Sequence, residues 1–87
     1  MSKDGRRILI VDDDFDFAES VSDILEMSGH DVVTVHSGEA AIECFRTESF
    51  DLALIDVQMP GKNGVESFLE ICAIQPRVHA VIMTGYS

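Results

Sequence analysis

The chain has 87 residues, 46% hydrophobic and 25% charged, a balance that suits one small globular domain and excludes a disordered chain. With 16 acidic against 6 basic residues the formal net charge is −10, which argues against nucleic-acid binding, because that affinity rests on Lys and Arg neutralising phosphates. No apolar run approaches the length of a membrane span, and acids follow the first short apolar run directly, so neither a transmembrane helix nor a signal peptide is expected.

Residues 1–7 are a polar lead-in. Ile8, Leu9, Ile10 and Val11 are apolar at every position, as in a parallel strand covered on both faces, and the run stops at Asp12, Asp13 and Asp14. From there the period changes. Phe17, Ala18, Val21, Ile24 and Leu25 recur at three- and four-residue steps and predict one inward face of a helix. Asp14 is its expected N-cap, Asp16 lies in the first turn where the dipole favours an anion, and Gly29 supplies the stop. Asp31–Val35 is rich in β-branched residues and reads as a second strand. Ser37 caps a second helix that runs to about Glu48 with Ala41, Cys44 and Phe45 inward.

Leu52–Asp56 is a third strand that delivers one carboxylate, Asp56, to its end. After a Pro60-Gly61 turn, Asn63 is the expected cap of a third helix with Val65, Phe68, Leu69 and Cys72 inward, and Pro76 closes it. His79–Met83 is the fourth strand, ending at Thr84 and Gly85. Cys44 and Cys72 fall within helical stripes without a CxxC partner, as packed thiols of a reducing cytoplasm would. His30, His36 and His79 are far apart in sequence and read as polar surface or strand-end residues. The order β-α-β-α-β-α-β with short connections predicts an α/β parallel sheet with helices on both faces.

Parallel strands bring their carboxyl ends to one rim. Asp12 and Asp13 from the first strand, Asp56 from the third and Thr84 from the fourth should therefore converge there, where open α/β sheets bind ligands. Clustered carboxylates repel and raise their own pKa values, and a hard divalent cation such as Mg2+ resolves this, keeping positions open for water and phosphate oxygens.

The segments ILIVDD, DLALIDVQMPGKNG and VIMTGY together resemble the receiver domain of two-component response regulators, in register from Arg7 to the end. The resemblance implies a flavodoxin-like doubly wound sheet with strand order 2-1-3-4, residues 1–87 being one receiver domain. It implies that Asp56 accepts a phosphoryl group from a histidine kinase or phosphotransfer protein. Asp12 and Asp13 would hold Mg2+ together with Asp56 and the backbone carbonyl of Gln58, and Thr84 would hydrogen-bond the phosphoryl group. Such a domain is a cytoplasmic signalling module rather than an enzyme, with no membrane or nucleic-acid partner of its own.

A complete receiver has five strands, so the fourth helix, the fifth strand and the fifth helix are expected to be missing, together with the lysine that the family places after its fifth strand. Lys62 and Tyr86 lie in the wrong places to replace the lysine and the aromatic switch residue. Domain 1–87 is thus expected to be incomplete at its C-terminus, impaired in phosphorylation, and a fragment, a truncated form or a chain completed by homodimerisation through the exposed fourth-strand edge.

Three rivals remain. Asp12, Asp14 and Asp16 alternate as in a calcium-binding EF-hand loop, but Phe17 stands where that loop needs Gly. The Asp12-x-Asp14 pair after a strand also resembles the nucleophile motif of haloacid-dehalogenase-like phosphatases, with Asp12 as the covalent residue. The third is a receiver-like interaction module that is never phosphorylated.

Overall fold

Successive strand residues face opposite sides of a sheet, and the four apolar runs use both sides. In the computed structural model, which describes residues 5–56 and 64–83, they form β1 (Arg7–Val11), β2 (Asp31–Val35), β3 (Leu52–Asp56) and β4 (His79–Met83). Between them lie α1 (Phe15–Met27), α2 (Gly38–Thr47) and α3 (Gly64–Ile74). The strands are all parallel and lie in the order β2-β1-β3-β4, the doubly wound α/β arrangement expected from the sequence.

The pleat sorts the core by parity. Leu9, Val11, Ala53 and Ile55 face one side with Val33, Val35 and Ala80, where Ala41, Ile42 and Phe45 of α2 and Ile71 of α3 cover them. Ile8 and Ile10 face the other side with Val32, Leu52 and Leu54, beneath Ala18, Val21 and Leu25 of α1. Leu9, Ile10, Val11 and Ile55 are wholly shielded from solvent. A central strand covered on both faces has no polar position to spare past its first residue, which is why β1 runs unbroken and apolar from Ile8 to Val11 after Arg7.

The helix ends follow the caps. Asp14 accepts a hydrogen bond from the Phe17 amide at 3.1 Å, and Ser37 accepts one from Ala40 at 3.1 Å. Gly29 adopts φ 95°, the left-handed stop at the end of α1. Two helix faces differ from expectation. On α1 only Ala18 is fully buried, while Phe17 and Ile24 are largely exposed: the helix meets the sheet along Ala18, Val21 and Leu25, and the other two fall on its flank. On α3 the buried face is Ser67 and Ile71, and Val65 and Leu69 lie outward.

At the pole where the strands begin, Arg7 fastens three segments. Its guanidinium pairs with Asp31 at 3.2 Å and with Glu48, donates to the Ser49 carbonyl at 3.3 Å, and lies 4.8 Å from the centre of the Phe50 ring. Nearby, Gln75 donates to the carbonyls of Phe45 at 3.2 Å and Glu48 at 2.6 Å and accepts from the Phe50 amide at 3.3 Å, joining the end of α3 to the connection before β3. Cys44 and Cys72 are free thiols, partly buried, and burial followed by the charges of Glu48 and Glu43 raises the Cys44 thiol. Among the described residues no helix is long and apolar enough to cross a membrane.

Candidate functional site

The rim opposite Arg7 carries the acids, and register decides which of them meet. Val11 pairs with Ile55, so Asp12 and Asp56 sit one step beyond a matched pair on adjacent strands. They also share parity: Asp56 continues the series Leu52 and Leu54, and Asp12 continues Ile8 and Ile10, so both fall on the α1 side of the sheet. Asp13 joins them from the outgoing loop. Carboxylate oxygens of Asp12, Asp13 and Asp56 lie within 4.8 Å of one another. Asp12 (4% exposed) and Asp56 (8%) are buried whereas Asp13 is open to solvent, so two acids form a floor and the third a rim.

Burial raises the Asp12 carboxyl above its ordinary range; the Asp14 amide, which donates to Asp12 Oδ1 at 2.9 Å, opposes this, while the charge of Asp56, a hydrogen bond with it, and the charge of Asp13 add to the rise. Charging the buried Asp12 carboxyl beside Asp56 is therefore costly in the absence of a counter-charge. The donor set, hard oxygens at mutual distances that one ion can span, fits a divalent cation such as Mg2+. Asp14 is spent on capping α1, as expected.

His36, expected as a polar surface or strand-end residue and found directly after β2, also stands here, with Phe15, which sequence reasoning left unassigned. Val11 pairs with Val35, so His36 follows β2 at the level where Asp12 follows β1. His36 Nδ1 lies 2.8 Å from the Asp12 carbonyl oxygen, and its ring stacks on Phe15. Only the strand register carries a signal for this, since the partners are 24 residues apart. Thr84, Gln58, the Pro60-Gly61 turn, Lys62, Asn63 and Tyr86 lie outside the described residues.

The family model described as the response regulator receiver domain matches residues 8–87. The chain belongs to this family. Among curated proteins, this receiver domain is 38% identical over 87 residues to the transcriptional regulatory protein ZraR of Escherichia coli, covering all of this chain and 20% of that protein. It thus spans about a fifth of that relative's length. Among solved structures, a CheY-like response regulator receiver domain protein from Methanospirillum hungatei matches with a TM-score of 0.91 at 32% identity, over 95% of this chain and 66% of that one. The response regulator TrrA of Thermotoga maritima, solved in complex with Mg2+-BeF, matches with a TM-score of 0.87 at 33% identity, over 94% of this chain and 71% of that one. The receiver domain of a two-component response regulator is therefore the function class of this chain. Neither the EF-hand nor the phosphatase reading of Asp12 gains support from these matches.

Proposed function

We propose that residues 1–87 act as the phosphoacceptor unit of a two-component phosphorelay, with Asp56 as the residue that takes the phosphoryl group. The observation that carries this reading is the meeting of Asp12, Asp13 and Asp56 within 4.8 Å at the carboxyl rim, with Asp56 buried at the end of β3. A carboxylate oxygen of Asp56 attacks the phosphorus of a phosphohistidine on a histidine kinase or phosphotransfer protein. An O–P bond forms as the N–P bond breaks, and the electron pair leaves with the imidazole nitrogen. Asp12, Asp13, Asp56 and the backbone carbonyl of Gln58 would hold Mg2+, which, when bound, offsets the charge of the carboxylates and of the transferring oxygens. Thr84 would hydrogen-bond a phosphoryl oxygen. The role is acceptance of a signal rather than turnover of a substrate.

The burial of Asp56 suits a nucleophile that must be dry and fixed in direction, and Asp13, being exposed, leaves a path to solvent for a cation and a phosphodonor. The test is incubation with acetyl phosphate and Mg2+, read by intact-protein mass spectrometry. The parent is expected to gain one phosphoryl group, Asp56→Asn none, and Asp13→Asn far less than the parent. A gain that survives Asp56→Asn but disappears in Asp12→Asn would transfer the covalent role to Asp12 and favour the phosphatase reading.

Self-association belongs to the same proposal. Among the described residues β4 is an outer strand of the sheet, laddered to β3 on one side, which supports pairing of two copies along its other edge.

A further inference from the structure

The segment that leaves β1 carries Asp12 and Asp13 and reaches Phe15, the first residue of α1. Among the described residues the strand ladder makes its last backbone hydrogen bond to it where the Asp12 amide donates to the Val35 carbonyl at 3.1 Å. Beyond that point one imidazole fastens it at both ends. His36 Nδ1 lies 2.8 Å from the Asp12 carbonyl oxygen; an oxygen of this kind only accepts, so Nδ1 carries the proton and donates it. The same ring lies almost flat on Phe15, with centroids 3.6 Å apart and planes 19° from parallel. Phe15 is 64% exposed, so burial in the core does not hold it, and the stack on His36 gives it a packing contact on the β2 side.

Between these two fastenings the Asp14 amide donates to Asp12 Oδ1 at 2.9 Å. The direction of the Asp12 carboxyl therefore depends on how the segment turns, and so does the placement of Asp13 beside it. We propose that His36 is a positioning residue for the Asp12 and Asp13 carboxylates: its Nδ1–H on the Asp12 carbonyl and its ring on Phe15 set the turn that aims both acids at Asp56. This rests on the reading of those acids as Mg2+ ligands. Groups that orient metal ligands from behind commonly change metal affinity by about 10–100-fold when removed.

Three variants of the 87-residue chain separate the two fastenings. His36→Phe keeps a ring for the stack and loses the Nδ1–H; His36→Asn keeps a short N–H donor and loses the ring; His36→Ala loses both. Three readouts are taken on each: exchange of the Asp14 amide in metal-free protein, Mg2+ affinity from backbone amide shifts, and the thermal midpoint. In His36→Phe we expect faster Asp14 exchange and Mg2+ binding weakened about tenfold at an unchanged thermal midpoint, with His36→Asn recovering part of both and His36→Ala the largest loss. Parent-like exchange and affinity in His36→Phe and His36→Ala would overturn the proposal. So would an affinity loss that merely follows the thermal midpoint across the three variants. Failure of the parent to bind Mg2+ would instead overturn the metal reading, and the metal-free exchange rates would still decide whether His36 sets the turn.

Discussion

Asp12 is the residue at which opposing requirements meet: it must be buried to face Asp56, and burial makes its charge costly. An acid whose pKa is raised on folding holds a proton more often in the folded chain than in the unfolded one. Its contribution to stability is thus full below the ordinary carboxylate range, about pH 4, and is lost as pH rises through the raised folded value. The metal-free parent should therefore lose thermal stability relative to Asp12→Asn as pH rises above about 4, and Mg2+ should stabilise the parent more than the variant. Melting curves of the two proteins across that range check this, and parallel pH profiles would count against a strained buried pair. The meeting of Asp12 with Asp56 was legible in the sequence, because two apolar runs of similar length each ended in an acid. The contact of His36 was not: nothing local to His36 announces a partner 24 residues earlier, and only the alignment of Val35 with Val11 brings them level.

Among the elements, α1 joins the site to the scaffold, since its cap, Asp14, follows Asp13 in the chain and donates its amide to Asp12. Asp14→Ala removes the acceptor of the Phe17 amide and should cost about 1 kcal/mol in denaturant unfolding, while Asp14→Asn should cost little. The existence of every helix and strand was readable from periodicity and caps. The rotation of the helices was less so. On α3 half of the expected stripe held, with Phe68 against the core and Cys72 partly buried, while Val65 and Leu69 lie outward and Ser67 and Ile71 are fully buried; a hydropathy pattern gives Ser no credit as an inward residue. On α1, Phe17 and Ile24 have the right period but stand off the line of contact with the sheet. A helix pattern reports an apolar arc, and only the neighbouring surface decides how much of that arc is covered.

The whole molecule follows from parallel connection of four strands, and that too was visible from the alternation of elements. Strand order came from the family resemblance, since four parallel strands admit several orders and composition does not choose among them. If β4 pairs with a second copy, sedimentation of the 87-residue chain should show a dimer that grows with protein concentration, whereas a monomer throughout would dismiss the edge as an interface. The Arg7 clasp has one more consequence. The four described arginines, Arg6, Arg7, Arg46 and Arg77, lie at or just before strand beginnings or in the last turn of α2, whereas Asp12, Asp13, Asp14 and Asp56 gather at the opposite rim. The arginine pole also holds Asp31, Glu43, Glu48 and Asp51, so its charge is mixed, whereas the opposite rim gathers carboxylates on a net anion. A small cation drifting nearby is drawn to the acidic end, and a partner with a basic face turns the domain rim-first before any contact is made. Added salt should slow that orientation before it weakens the docked complex.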